Sequence, residues 1–349
     1  MPLSYPPFVA SDRIRKAAAN SPWMGQGETS SAVGILQGAL ADLGYKLPIT
    51  FKKTGLPDGI FGKETKGVVY QFQVDQKLAS KDGVAGSQTF SRLDTLLAAK
   101  KKPPKVIPAP PKPHKPPPPA ADRNYQIGTS DPTITPDPGA GVFDSEEWEM
   151  SMWALKQSIL EILPPRGNSA VTFVGPNASL HMLHYLHASG RTLTINLESM
   201  VDSGPTATGR FRNEVAQAQK FVESLPVGTH SITSKTAESA YNFKDESKDW
   251  YFAVGGYSTW GKGTATVSNG AAGREYELKF EYKFYDRYNW DGGKSVEIAG
   301  ITITDQFMGE FHRQGLAQEF DMVGSIKRTF RWKQGDAIPE EQYRRGGWR

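Results

Sequence analysis

Between Pro103 and Pro119, ten of 17 residues are proline, in the run "KKPPKVIPAPPKPHKPPPP" that begins at Lys101. Proline fixes its own φ and has no amide donor, so this stretch can be neither helix nor central strand. Extended polyproline II is expected, a semi-rigid spacer. The rival reading is a docking peptide for an aromatic groove. The following "TSDPTITPDPGAG" carries the loose region to residue 141. The 349-residue chain therefore divides into an N-terminal extension (1–28), a compact unit (29–98), a Pro-rich linker (99–141) and a second domain (142–349).

Charge follows the same division. Of the 41 Lys+Arg and 37 Asp+Glu, residues 1–120 hold 17 and 8, leaving 24 and 29 for the remainder. The basic first part favours anionic surfaces. No recognition motif supports nucleic acid, and the second domain is acidic. There is no cysteine, which excludes disulfides, thiol nucleophiles and Cys-based metal sites. No window approaches the roughly 20 apolar residues of a membrane-spanning helix. The start, "MPLSYPPFVASDRIRK", lacks a basic segment followed by an apolar run, so export by a route other than general secretion is expected.

In the compact unit, Val33, Leu36, Leu40 and Leu43 have helical spacing and Gly44 fits a helix C-terminus. Pro57-Asp58-Gly59 reads as a turn, and Gly62 as a position needing freedom in φ. A second helix carries Val68, Phe72 and, as a further inward candidate, Val69. A turn at Asp82-Gly83 precedes a third helix with Phe90, Leu93 and Leu97. The segments "LQGALADLGY", "DGIFGKETKGVVYQFQ" and "DGVAGSQTFSRL" resemble the three-helix peptidoglycan-binding domain associated with cell-wall hydrolases. The insert "KLPITFKKTGLP" departs from its usual connection. The resemblance implies wall binding without bond breaking, with Gln37, Tyr45, Asp58, Phe61, Gln73 and Asp82 as the candidate contact set. Gln37, Tyr45, Gln73 and the polar turn residues are expected at the surface, and Phe72 in the core. Tethering raises the local concentration of the second domain near the wall.

The second domain reads as α+β, helices first and then a largely antiparallel sheet. Ser145–Leu163 is expected as a helix capped by Ser145 and ended by Pro164-Pro165. Further helices are expected over "NASLHMLHYLHASG" and "GRFRNEVAQAQKFVESLP". "WYFAVGGYSTWGKGTATV" reads as a strand, a Gly-rich bend and a second strand. In "EYELKFEYKFYDRYNW", Tyr276, Leu278, Phe280, Tyr282 and Phe284 share one face. "DQFMGEFHRQGLAQEF" is expected as a helix broken or bent near Gly315.

Continued alternation puts Asp286 and Tyr288 on the aromatic face. Turn residues through Asp291 follow, and His312, Arg313 and Glu319 come downstream, with His312 and Glu319 close to one helix face. Together they offer an acid, a base and an anion-binding fork, suited to phosphoryl or glycosyl hydrolysis. The structural alternative pairs Asp286 with Arg313 to hold strand and helix together. Asp286, Tyr288, Asp291, His312, Arg313 and Glu319 resemble the Asp/Tyr/Asp and His-Arg cluster of colicin M-type bacteriocins, with wider spacing. That resemblance implies Mg²⁺-dependent cleavage of lipid II beside its pyrophosphate, and an immunity protein for self-protection. No cofactor is fixed by the residues themselves. His181, His184 and His187 spread around a helix, so at most one pair could serve a zinc ion. Tyr257 and Trp260, among glycines, could form a saccharide or headgroup platform.

The expected protein is a peptidoglycan-targeted antibacterial effector, secreted or injected by a non-classical route and acting at the periplasm or cell wall. The partners are peptidoglycan, lipid II and an immunity protein. The alternatives are a muramidase or amidase using Glu319, Glu310 and Asp286, and a non-enzymatic wall-binding or membrane-perturbing protein.

Overall fold

Apolar residues at helical spacing bring five helices of the first unit onto one core. The computed structural model describes residues 3–52, 56–100, 125–136, 138–163, 175–240, 246–290, 295–298 and 301–344. The Pro-rich run, Pro164-Pro165 and Asp291 lie outside them. The helices are α1 (Pro6–Ala10), α2 (Asp12–Ala18), α3 (Ser31–Asp42), α4 (Lys63–Asp75) and α5 (Ser87–Lys100). Residues before 29, expected as an extension, complete the unit. Tyr5, Phe8 and Ile14 are fully buried, Phe8 packs edge-on to Phe90, and Asp94 accepts from the amides of Ser4 and Tyr5 at 2.8 and 2.6 Å. Short helices this rich in Ala and Pro gave no long periodic signal. Gly44, Gly59 and Gly83 take left-handed φ of 91°, 70° and 72°, as their turns require. Gly62 does not: it precedes α4 at φ −85°.

The second region begins with β1 (Gln126–Ile127) and α6 (Met150–Ile162). Its first helix starts five residues later than expected. Ser145 does not cap it; the cap comes from the other unit. Asp42, at the end of α3, accepts from the amides of Met150 and Ser151 at 2.8 and 3.1 Å and from the Ser151 hydroxyl at 2.6 Å. Burial raises the Asp42 pKa, against the pull of these hydrogen bonds. The Tyr5 hydroxyl lies 2.5 Å from Ser151 Oγ. Where α3 crosses α6, a Cβ on Gly38 would sit 2.7 Å from the Ser151 nitrogen, so only glycine permits the approach. The two units therefore share a hydrophobic core rather than standing apart.

Next come α7 (Pro176–Leu186), β2 (Leu193–Thr194), α8 (Leu197–Val201), α9 (Pro205–Glu223), β3 (Gly228–Thr233), β4 (Ala237–Ala240), α10 (Lys248–Ala253), β5 (Gly256–Gly270) and β6 (Gly273–Tyr288). β7 (Ser295–Ile298), β8 (Ile301–Thr304), α11 (Asp305–Arg313) and β9 (Phe320–Lys333) complete the strands and helices. The main sheet runs β1-β3-β5-β6-β9-β2, with β4 also on β5. Its pairings are antiparallel except β2 with β9. The alternation of β6 holds throughout, with every second residue from Tyr276 to Tyr288 buried. On that face α9 packs Phe211 against Tyr282.

Two expectations fail here. "WYFA" forms α10, and the glycine-rich segment continues as one long strand. Gly261 lies where a side chain would collide with Tyr125 and Phe280, so these glycines admit neighbours and do not bend the chain. The helix after β8 ends at Arg313, because Gly315 turns at φ 69°.

Candidate functional site

The first unit contains the same clamp twice. Gln37 Nε2 donates to Asp58 Oδ1 (2.8 Å), the Ile60 carbonyl (3.0 Å) and Thr65 Oγ1 (3.0 Å), while its Oε1 accepts from the Gly59 amide (3.0 Å). Gln73 Nε2 repeats this with Asp82 Oδ1 (3.1 Å), the Val84 carbonyl (2.8 Å) and Thr89 Oγ1 (3.1 Å), and its Oε1 with the amides of Asp82 and Gly83. Gln37 and Gln73 are 0% and 1% exposed, so neither is the surface contact expected of it. A buried amide with its donors and acceptor satisfied fixes the loop. Phe61 is likewise core. Asp58 and Asp82 are exposed, but each spends one oxygen on its clamp and its own loop amide. Tyr45 is half-buried, edge-on to Phe72, with its hydroxyl on Asp75 at 3.0 Å.

In the second region, Asp286 and Tyr288 lie at the end of β6, His312 and Arg313 at the end of α11, and Glu319 just before β9. Asp286, 8% exposed, and Tyr288 face inward. Tyr288 stacks on Phe320 and meets Tyr185, Trp290 and His181. Burial, then the nearby Asp305, raises the Tyr288 hydroxyl pKa; burial does the same for Tyr185. Asp286 Oδ1 accepts from the Arg287 amide at 2.7 Å. The expected Asp286–Arg313 pair does not form. Arg313 binds Glu146 at 2.6 Å and the Ala140 carbonyl at 3.2 Å.

His312 and Glu319 do meet, though not across a helix face. Glu319 lies beyond Gly315, just before β9, and the turn brings it back. Its amide donates to His312 Nδ1 at 3.2 Å, so Nδ1 is an acceptor and the proton belongs on Nε2, which donates to the Gly141 carbonyl at 3.1 Å. Burial lowers the His312 pKa. The Gly141 bond opposes that shift, while the positive Arg287 and Arg313 reinforce it. His312 is thus neutral at pH 7, and its 3.9 Å approach to the Glu319 carboxylate is not an ion pair. Glu319 Oε1 accepts from the amides of Ala140 and Trp290 at 2.8 and 3.1 Å. Arg287 bridges outward to Asp321 at 3.3 Å, and Asp321 also takes the Tyr285 hydroxyl, whose pKa burial and Asp321 push up to about 12. The arrangement offers a neutral imidazole beside a carboxylate and a guanidinium.

Residues 139–143 cover this pair. His312 is 3% exposed beneath them, with Phe143 against its ring. This segment therefore closes His312 off from solvent. Gly139 has φ 62°, and a Cβ there would overlap the Glu319 carboxylate. Gly139→Ala should lower the midpoint of thermal unfolding by several degrees, equivalent to about 2 kcal/mol. An unchanged melt would contradict the packing described.

Among the described residues, no three His, Asp or Glu side chains converge as a metal site. Asp291, part of the cluster for which the resemblance implies Mg²⁺, lies outside the described residues. The three helix histidines part company. His181 Nδ1 donates to the Ala253 carbonyl (2.7 Å), His184 Nε2 to the Arg191 carbonyl (2.7 Å), and His187 is exposed at the helix end. Burial lowers the His181 pKa. Both His181 and His312 thus resist protonation when folded, whereas the unfolded chain protonates near pH 6.5. The unfolded state then binds more protons below that value, so stability falls as pH drops from 6.5 toward the lower folded values. Urea unfolding should show a loss of about 1–2 kcal/mol between pH 7.5 and 5.5, reduced in His181→Leu after correction for the variant's own stability.

Tyr257 and Trp260 are not an open platform; both are buried. Trp260 Nε1 donates to Asp131 at 3.0 Å, and Lys262 and Lys283 clasp the same carboxylate. Burial alone would raise the Asp131 pKa, but these partners hold it down to about 2. Sequence reasoning missed Arg287, Asp321 and the 139–143 cover. Arg287 and Asp321 face each other across β6 and β9, and cross-strand register has no local sequence signal.

Residues 29–93 match the family model described as "Putative peptidoglycan binding domain". No curated protein matches the chain. Among solved structures, the chain is similar to PaeM, a colicin M-like bacteriocin produced by Pseudomonas aeruginosa, at 13% identity over 52% of this chain and 64% of that one. It is also similar to a truncated bacteriocin, syringacin M, from Pseudomonas syringae pv. tomato DC3000, at 16% identity over 56% and 79% of the two chains. Both have a TM-score of 0.27, too low to carry an argument.

Proposed function

We infer that this chain is a cell-wall-targeted antibacterial protein. Its first unit holds peptidoglycan, and its second hydrolyses the wall or its lipid-linked precursor. The observation that carries the wall-directed half is the family match over residues 29–93, supported by two satisfied Gln clamps that hold the loops of that unit in place. The hydrolytic half rests on His312. It is a neutral imidazole positioned by a backbone amide, beside Glu319 and close to the strand end that carries Asp286 and Tyr288. A neutral imidazole with its proton on Nε2 takes a proton at Nδ1 or gives one from Nε2. Either role needs the local hydrogen bond to break first. Arg287 supplies positive charge for an anionic phosphoryl group. Action at the periplasm, an immunity partner and delivery by injection or lysis belong to the same reading.

Product analysis tests it. The full chain is incubated with purified sacculi and, separately, with lipid II, each with and without Mg²⁺. Release of a pyrophosphorylated disaccharide from lipid II supports precursor cleavage. Soluble muropeptides from sacculi would move the reading to a muramidase or amidase. With no product from either substrate, the hydrolytic half fails and a non-enzymatic wall-binding role stands.

A further inference from the structure

Three of the six candidate wall-contact residues, Gln37, Phe61 and Gln73, are internal, and Asp58 and Asp82 are tied to the clamps, so the unit presents other side chains to a polymer. Helix α3 is not available, because its outer face is covered by α6 at Gly38. The surface around Trp23 and α4 is built differently. Trp23 is 54% exposed and Tyr70 47%, unusual for large aromatics on a small unit with a well-filled core. Trp23 is also held firmly. Arg13 donates to the carbonyls of Pro22 and Trp23 at 3.0 and 3.1 Å and pairs with Glu28 at 2.7 Å. Beside it, Asn20 accepts from the Ser87 amide at 2.8 Å. The ring lies across Gly25, where a Cβ would be 3.1 Å from Trp23 and 3.9 Å from Val84.

The surface continues from there onto α4. Gly83, next to Val84, packs against Lys66. Lys66 and Tyr70 are four residues apart and share a helix face, with Lys63 one turn earlier. Lys63, Lys66, Gly67 and Tyr70 are all exposed. Gly67 sits mid-helix with nothing within 4 Å of a Cβ built on it. Glycine there costs the helix about 1 kcal/mol relative to alanine, and no packing within the unit requires it. Its effect is a flat opening between two lysines and a tyrosine.

We propose that the strip from Trp23 across Lys66 and Gly67 to Tyr70 is the peptidoglycan-contacting surface. The aromatic faces take sugar rings, the lysines take stem-peptide carboxylates, and Gly67 lets the strand approach the helix backbone. Trp23 lies outside the matched residues 29–93, so the segment before the matched domain supplies part of its binding face. This rests on the wall-directed reading above and adds the surface and the ligand groups to it.

Co-sedimentation of the full chain with purified sacculi tests it, comparing wild type, Trp23→Ala and Gly67→Gln. Glutamine favours helix over glycine, so Gly67→Gln keeps the unit folded even if Trp23→Ala does not. Each variant is expected to bind about ten-fold more weakly. Wild-type binding with both variants unchanged would overturn the strip and leave the wall-directed reading intact. Absence of wild-type binding would overturn that reading, and the strip with it.

Discussion

Replacing His312 with glutamine is expected to lower the hydrolytic rate by about 10²–10⁴-fold with little effect on the fold. A glutamine side chain offers one acceptor and one donor group, as the imidazole does with the Glu319 amide and the Gly141 carbonyl. The local network is therefore kept and only proton transfer is lost. Unfolding curves for the two proteins should overlap within about 1 kcal/mol. A wild-type pH–rate profile adds a second check. Because burial lowers the His312 pKa, a base role keeps the site active below pH 6.5, with the acid limb at lower pH. If His312→Gln retained full rate, His312 would be a packing residue and the chemistry would lie elsewhere.

The largest expected effect on stability is at Gly38. Its Cβ position is 2.7 Å from the Ser151 nitrogen and 2.8 Å from the Ser151 Cα, both backbone atoms. A valine there must push α6 away from α3. That movement also withdraws Asp42 from the amides and hydroxyl at the start of α6. Overpacking costs about 1–3 kcal/mol, and losing a helix cap about 1 kcal/mol more. Gly38→Val should thus be less stable by about 3 kcal/mol in urea unfolding. It should also be cut more readily by protease near residues 143–150. A wild-type unfolding curve would mean that the two units do not dock through α3 and α6.

The parts of this fold that were legible in the sequence are those set by short-range periodicity. The face assignments of β6, through Asp286 and Tyr288, follow from a period of two. The turns at Gly59 and Gly83 follow from Asp-Gly pairs that need positive φ. Long-range placement was hidden. Gln37 and Gln73 looked like surface residues because polar side chains usually are, and only the folded loops reveal their partners. The seven-residue spacing of His312 and Glu319 points to one helix face, whereas Gly315 ends the helix and a turn returns the chain. Asp42 capping α6 bridges more than a hundred residues, which no local pattern encodes. The cover over His312 comes from residues 139–143, which begin inside the stretch that composition marks as linker up to residue 141.

The central claim is hydrolysis beside the sheet end that carries Asp286, at His312 of α11, and isotope incorporation tests it most directly. Wild type and His312→Gln are each incubated with lipid II in ¹⁸O-labelled water, and the products are read by mass spectrometry. The account predicts one labelled oxygen in one of the two cleavage products, the lipid alcohol included, from wild type, and almost none from the variant in the same time. Unlabelled product, or equal labelling by both proteins, would contradict it.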